Sequence, residues 1–394
     1  MPSRISSANG IYLRSTPLPR ALESVQQAFQ GLYPSIARTS AFQPPDIITR
    51  TPADETLYPN DTSCRRFDEF CHAYAQRAAD RWDNSDEMKY VNKKISSWMP
   101  PSSPKVAVGS HPRLSGVMDT INATLAHGPP TRLPPEFYDA QVRKTIEKVG
   151  VDEWYSGYNE SREYRIVGIG GLAGDVVERM VEKAGNPSPG APVGSGEPTS
   201  TKLTLCGTHD TTIAGLLSSL GAFNKEPWPP FTSHIVIELF KAKKPTLTSR
   251  GSTNIPGTPE PASNPSSTPA KKSWLSSLFY LSPAAHESSS PSNPNRLPLS
   301  QMTTPQKTSL AEHYVRLRYN DRVMTIPGCR KPGNHLEGDE SLCTLTAFKA
   351  IVDDFTPRNW KAACVDNLGE MTVRPVGMEQ WGGYAAGEGP EGRE

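Results

Sequence analysis

The segment Cys206-Gly-Thr-His209-Asp210-Thr-Thr places a histidine and an aspartate side by side between an apolar run and an amphipathic run. The apolar residues at 202–206 predict a strand, and the apolar spacing after Asp210 predicts a helix. A helix that begins there offers free backbone N–H groups and the positive end of its dipole, which suit an anion such as phosphate. His209 can donate a hydrogen bond to a phosphoryl oxygen, and Asp210 can act as general acid for a leaving alkoxide. Spacing alone leaves a structural alternative open, in which Asp210 caps the helix and His209 is a loop residue.

A second junction of this kind lies near the N-terminus, where Arg14 closes the short strand IYLR. Apolar residues recur at three- and four-residue steps over 18–32 and predict a helix. Ser15 and Thr16 are candidate caps for that helix, and Pro19 suits its first turn. An arginine guanidinium binds two phosphate oxygens at once, as lysine cannot, although a surface ion pair is the alternative for an isolated arginine. Together the two junctions predict a phosphate site.

Composition and charge exclude several classes of protein. The chain has 394 residues with 42 Lys and Arg against 41 Asp and Glu, so its net charge of +1 gives no case for a nucleic-acid binder. No apolar run approaches the roughly 18 residues that a transmembrane segment needs. Six cysteines are too few for a disulfide scaffold. The low hydrophobic share of 36% and the 39 prolines predict a globular core diluted by proline-rich disordered segments.

Composition shifts along the chain predict its organisation. We expect an α/β core that begins at 1–40, a mostly helical cap at 41–164, further core at 165–243 and 312–366, a disordered Pro/Ser-rich insertion at 244–311 and a disordered tail at 367–394. Helix-like stretches at 66–82 and 114–125, between proline-rich turns, indicate the cap. The alternating runs 234–243 and 313–319 are predicted to pair as strands, which places the insertion on a hairpin.

One apolar island, Lys271–Leu281, interrupts the insertion. Its bland interpretation is a chance cluster in a linker. Its functional interpretation is a weak contact with a membrane surface or a peptide-docking element, because two lysines precede the apolar residues.

These motifs resemble those of the histidine acid phosphatases, a branch of the phosphoglycerate-mutase-like superfamily. The run YLRSTPLPRALES is similar to the family's strand, Arg-Ser-Thr and helix, and THDTT is similar to its His-Asp motif. The stretch from THDTT to IVIELF, LYPNDTSC at 57–64 and YNDRVMTIPGC at 319–329 look closest to the lysophosphatidic acid phosphatase type 6 subgroup. The resemblance covers most of 11–366 outside the insertion.

The resemblance implies a fold and a mechanism. The fold is a three-layer α/β core with an inserted helical cap. In the family a histidine attacks phosphate and forms a phosphohistidine, which water then hydrolyses. Arg14 corresponds to the family's later phosphate-binding arginine, and His209 and Asp210 correspond to the His-Asp pair, with no metal and no cofactor required. The expected substrate is a small phosphomonoester, with lysophosphatidic acid or a related lipid phosphate as the first candidate.

The family's Arg-His-Gly-x-Arg-x-Pro motif, which carries the nucleophile at the end of the first strand, is absent. Only 13 residues precede Arg14, too few to hold it. His127 alone among the histidines precedes a glycine, but it lacks the leading arginine and is not expected to be the nucleophile. We expect a truncated phosphatase without its first strand; the alternative is a catalytically inactive phosphate-binding pseudophosphatase. Mitochondrial and secretory locations both stay open.

Three further patterns receive structural interpretations. The glycine-rich run at 167–175 lacks the third glycine of a dinucleotide-binding loop, so it is interpreted as helix-entry packing. Glu238, within the run 234–243, is given a structural role. Cys329 and Cys343 can pair in an oxidising compartment and Cys364 can join them, but sequence does not reveal the connectivity.

Overall fold

The computed structural model describes residues 4–185, 201–224, 226–242 and 296–373. The helices in these ranges are α1 Pro19–Leu32, α2 Arg65–Trp82, α3 Asp86–Ile95, α4 Leu114–His127, α5 Ala140–Glu160, α6 Arg162–Arg165, α7 Gly171–Lys183, α8 Asp210–Ser219, α9 Thr304–Ala311, α10 Leu345–Asp354 and α11 Trp360–Ala363. The strands are β1 Ile11–Ser15, β2 Ile47–Ile48, β3 Leu203–Gly207, β4 Ile235–Lys241, β5 His313–Tyr319, β6 Arg322–Met324, β7 His335–Leu336 and β8 Asp339–Thr344.

A parallel three-stranded sheet carries both predicted junctions. Its order is β2-β1-β3, and β1 is buried along its whole length. Arg14 pairs with Cys206 and Ser15 with Gly207, so β1 and β3 end in register. Because the carboxyl ends of parallel strands meet at one edge of a sheet, the residues that follow β1 lie beside those that follow β3.

A separate antiparallel sheet has the order β4-β5-β8-β7, with β6 also paired to β5. Strands β4 and β5 pair over the full length of both, which confirms the predicted pairing. Glu238 and Arg316 face each other across this pair with Oε2 and Nε 2.7 Å apart, so Glu238 has the expected structural role. Among the described residues, β3 and β4 each pair on one side only, and each therefore keeps a free edge.

The α/β class predicted from the sequence is confirmed by these two sheets and the helices around them. The stretch 41–164 contains α2, α3, α4 and the whole of α5, as its helix-like spacing predicted. Its separation from the core as a cap domain stays a prediction. No helix in the described part of the chain is long and apolar enough to cross a membrane.

The bounds predicted for the insertion and for the tail differ from those in the structure. Residues 296–311, assigned to the insertion, fold onto the core: Arg296 pairs with Asp175 at 2.9 Å, and Leu310 is fully buried on α9. The prediction of disorder from composition was wrong for residues 296–311, because a few anchoring contacts suffice to order a proline-rich segment. In the predicted tail, the Gly369 amide donates to the Glu69 carboxylate at 3.2 Å. The island Lys271–Leu281 lies outside the described residues.

Two disulfides close the fold. Cys329 and Cys343 are bonded as the sequence allowed, with Cα atoms 5.2 Å apart. Cys64 and Cys364 are also bonded although 300 residues separate them, which ties the start of α2 to the segment after α11. Sequence spacing gives no sign of such a distant pairing.

The glycine-rich run is a packing feature, as predicted. It forms a π-helical turn at Ile166–Gly170 that leads into α7. A Cβ on Gly168 would lie 2.7 Å from the Phe67 ring, and one on Gly170 would overlap the Phe355 carbonyl oxygen. The glycines therefore let this helix approach its neighbours closely.

Gly207, at the end of β3, is expected to tolerate no side chain. A Cβ there would overlap the Ala21 carbonyl oxygen of α1 and lie 2.8 Å from Ser15 Oγ. We expect Gly207→Ala to lower the free energy of unfolding by about 1–3 kcal/mol, measured by urea denaturation. Gly31→Ala is the matched control: nothing lies within 4 Å of a Cβ there, and alanine favours the helix. Equal stability of the two variants would contradict the close packing of α1 on β3.

Candidate active site

His209 stands where the two parallel strands end. It is the N-cap residue of α8, and its Nε2 lies 2.9 Å from the Thr16 hydroxyl, which follows β1. The Tyr58 ring meets the imidazole edge-on, with centroids 5.9 Å apart. The expectation that Ser15 or Thr16 caps α1 is wrong, because Leu18 occupies the N-cap without a side-chain hydrogen bond and the Thr16 hydroxyl contacts His209 instead.

Asp210 is the first residue of α8, and both of its carboxylate oxygens are hydrogen-bonded. Oδ1 accepts from the Thr211 amide at 2.8 Å, and Oδ2 accepts from the Trp228 indole N–H at 2.7 Å. Since His209 is the N-cap residue, Asp210 does not cap the helix. These two donors hold the carboxylate in place, and its role as general acid stays a prediction.

Arg20 acts electrostatically on His209 and Asp119, and sequence reasoning did not select it. It is exposed in the first turn of α1 and forms no ion pair with any described residue. Its charge nevertheless lowers the imidazole pKa of His209. It also contributes a lowering effect to the pKa of Asp119 on α4, against the larger effect of burial. The signal available in the sequence was the second arginine of RSTPLPR, one residue after the proline that starts the helix.

Arg14 is held by carboxylates in the interior. Only 2% of its surface is exposed, and Nη2 donates to Glu55 Oε1 at 2.6 Å and to Thr56 Oγ1 at 3.3 Å. Nη1 lies 3.7 Å from Asp175 Oδ2. Arg14 therefore forms an ion pair, as the alternative interpretation proposed, but the pair lies in the core and not on the surface. Phosphate binding by Arg14 stays a prediction.

The ion pair of Arg14 supports the loop that carries Tyr58. Glu55 Oε1 also accepts from the Leu57 amide at 2.7 Å, and the Leu57 carbonyl accepts from Thr212 Oγ1 of α8 at 2.6 Å. Arg14 is thus connected to the His209 region through this loop.

Burial and charge set the protonation of the site. Burial lowers the pKa of His209 below its ordinary value of 6.5, Arg20 lowers it further, and Asp210 opposes both. Burial and then the negative charge of Asp210 raise the pKa of Asp119, on α4, above 3.8. No group of three His, Cys, Asp or Glu side chains within the described ranges is arranged to hold a metal ion.

Inorganic phosphate is expected to bind with uptake of a proton by His209. Without a bound anion the pKa of the His209 imidazole lies below 6.5, so more than half of it is neutral at pH 6.5, and a bound anion favours the protonated form. Affinity should therefore rise as the pH falls towards the acid range. Calorimetry in two buffers of different ionisation enthalpy measures the uptake, and His209→Gln is the control for titration of the ligand itself. The same uptake in both proteins would contradict this role.

Comparison with known proteins shows which family the chain belongs to. The family model of the histidine phosphatase superfamily (branch 2) matches residues 3–254. A probable acid phosphatase of Schizosaccharomyces pombe is 33% identical over 369 residues, 92% of this chain and 70% of the relative. Lysophosphatidic acid phosphatase type 6 is 30% identical over 237 residues in Pongo abelii and 29% over 233 in Homo sapiens. The two alignments cover 60% and 59% of this chain. The chain spans about half the length of these two relatives, 49% and 48%.

The matches confirm the resemblance drawn from the sequence motifs, and the sheets and helices are consistent with an α/β phosphoglycerate-mutase-like fold with helical regions. The family model spans both strand–helix junctions and the residues gathered there. The chain belongs to branch 2 of the histidine phosphatase superfamily.

Proposed function

We propose that this chain provides the phosphate-binding and proton-donating part of an acid phosphatase that hydrolyses phosphomonoesters. The observation that carries the proposal is that His209 and Asp210 stand where two parallel strands end and that His209 is subject to the charge of Arg20, which forms no ion pair among the described residues. This arrangement supplies a cation and an imidazole for an anion, with a carboxyl group beside them. It is supported by similarity to acid phosphatases.

The roles follow from charge and hydrogen bonding. Arg20 and His209 would donate to phosphoryl oxygens and neutralise the charge that the transition state spreads over them. A nucleophilic histidine would form a bond to phosphorus while the ester P–O bond breaks, and Asp210 would give its proton to the departing oxygen. Water would then attack the phosphohistidine and release phosphate. Arg14 stays a candidate for phosphate contact, with support of the Tyr58 loop as its alternative role.

The nucleophile is proposed to belong to an additional strand. Among the described residues β3 and β4 each have a free edge, and apolar side chains such as Leu205 and Ile237 are only partly buried there. An extended segment that paired along these edges would complete the hydrogen bonding and cover the apolar faces. His127 is the exposed last residue of α4 and is a poor substitute. The absence of the Arg-His-Gly-x-Arg-x-Pro motif favours the second candidate, a phosphate-binding pseudophosphatase.

The proposed substrate is lysophosphatidic acid or a similar lipid phosphate. Its support is similarity to the lysophosphatidic acid phosphatases, over about half of their length. Contact of Lys271–Leu281 with a membrane surface is part of the same proposal. An activity panel of lipid, sugar and inositol phosphates on the longer relatives and on this protein would compare the classes directly.

The purified chain is expected to bind inorganic phosphate but to release no nitrophenol from para-nitrophenyl phosphate. Calorimetry measures the first property and absorbance the second. A longer gene product that contains the missing motif should hydrolyse the ester, whereas its absence from the gene favours the pseudophosphatase. Turnover by the 394-residue chain would mean that another residue is the nucleophile, with His127→Ala as the first test. A chain that neither binds nor hydrolyses would refute the proposal.

A further inference from the structure

The geometry points to Trp228 as the positioning residue of Asp210: its indole N–H holds the carboxylate away from Arg20, so that the guanidinium stays available to phosphate. The inference rests on the proposed function, because it concerns the same anion site. Trp228 lies in the connection between α8 and β4, and only 8% of its surface is exposed.

The contact between Trp228 and Asp210 is short and directional. Nε1 lies 2.7 Å from Oδ2, the distance of a charge-assisted hydrogen bond. The other carboxylate oxygen accepts from the Thr211 amide, which belongs to the backbone of α8. With one donor on each oxygen, the carboxylate is fixed in the plane that these two donors define.

Helix α5 holds the indole in turn. The Glu147 carboxylate accepts from the Trp228 backbone amide at 2.9 Å. The Tyr155 ring lies against the indole with centroids 4.8 Å apart, and Trp154 meets it edge-on at 6.1 Å. A Cβ on Gly150 would come within 3.7 Å of the indole, so the helix approaches it closely. The position of Asp210 therefore depends on packing against a helix of the predicted cap.

The electrostatics explain why such restraint is needed. Arg20 and Asp210 both act on His209, with opposite effects on its pKa, and both act on Asp119. A carboxylate free to turn would be attracted to the guanidinium that acts on the same two groups, and it would compete with the phosphate for that charge. The indole N–H offers Asp210 a neutral partner, and Arg20 keeps no ion pair within the described part of the chain.

A double-mutant cycle on inorganic phosphate binding tests this role. Calorimetry at neutral pH compares wild type, Trp228→Phe, Asp210→Asn and the double variant, with circular dichroism to verify folding. We expect Trp228→Phe to weaken binding about threefold or more, because the freed carboxylate pairs with Arg20. In the Asp210→Asn background, which has no charge to misplace, the same change should have little effect. Trp82→Phe is the matched control: it removes an indole N–H that donates to a different carboxylate, Asp152 Oδ2 at 2.6 Å, and it should leave binding unchanged in both backgrounds.

Equal weakening by Trp228→Phe in both backgrounds would overturn the inference, since it would indicate a general packing role. If Trp228→Phe does not fold, the indole ¹H–¹⁵N cross-peaks decide: Asp210→Asn should move that of Trp228 and leave that of Trp154 in place, and an unmoved Trp228 signal would refute the link. Absence of phosphate binding by the folded wild type would instead overturn the proposed function and, with it, this inference.

Discussion

Replacement of Arg20 by alanine is expected to weaken inorganic phosphate binding about 100-fold. Arg20 is exposed, has no ion-pair partner among the described residues and acts electrostatically on His209. A guanidinium that forms two charge-assisted hydrogen bonds to phosphate contributes roughly 1.5–3 kcal/mol for each, and 1.4 kcal/mol corresponds to a factor of ten. Because the side chain is exposed, the loss should come without a loss of stability. Isothermal titration calorimetry measures it.

The controls separate geometry from charge. Arg20→Lys keeps the charge but not the two-pronged contact, so an intermediate affinity is expected. Arg322→Ala also removes an exposed arginine, one that pairs with Glu226 at 2.7 Å, and should leave phosphate binding unchanged. Wild-type affinity in Arg20→Ala would place the anion elsewhere.

Replacement of Arg14 by alanine is expected to lower the free energy of unfolding by about 3–5 kcal/mol. Glu55 is fully buried, and removal of its arginine partner leaves a carboxylate in the interior without a counter-charge. The loop that carries Tyr58 should loosen as well, because Glu55 also binds the Leu57 amide. Urea denaturation followed by circular dichroism measures the change.

Arg322→Ala serves again as the comparison, because its ion pair has nearly the same length but is exposed. Its loss should cost less than about 1 kcal/mol. If Arg14→Ala is instead as stable as the wild type and loses phosphate affinity, then Arg14 binds the anion as the sequence motif predicted, and its contact with Glu55 is a resting arrangement.

Many helices and strands of this fold could be predicted, because buried positions recur with the period of the helix or strand and apolar residues recur in the sequence at the same spacing. The predicted strand 202–206 corresponds to β3, and the helix-like stretches 66–82 and 114–125 correspond to α2 and α4. Alternation alone was enough to predict strands at 234–243 and 313–319, where the structure has the fully paired β4 and β5. His209 and Asp210 could be selected from the sequence because they lie just after a predicted strand, and the local sequence determines which residues stand at the carboxyl end of that strand.

The missed features depend on partners that are distant in sequence. Whether Arg14 or Arg20 faces the anion depends on the ion pair of Arg14 with Glu55. The two residues are 41 positions apart, so no local sequence pattern predicts their contact. The Cys64–Cys364 disulfide joins residues 300 positions apart, and local sequence does not predict it either. Trp228 is 18 residues from Asp210, in a connection with no periodicity. Such contacts are decided by packing of the whole chain.

The central claim is that one anion binds between Arg20 and His209, beside Asp210. A crystal structure of the chain grown with tungstate tests it most directly, because the metal atom of this phosphate mimic gives an unmistakable anomalous signal. The account predicts one dominant peak within hydrogen-bond distance of the Arg20 guanidinium and of His209 Nε2, with Asp210 still bonded to Trp228. A peak at any other place, or none at this place at saturating tungstate, would contradict it.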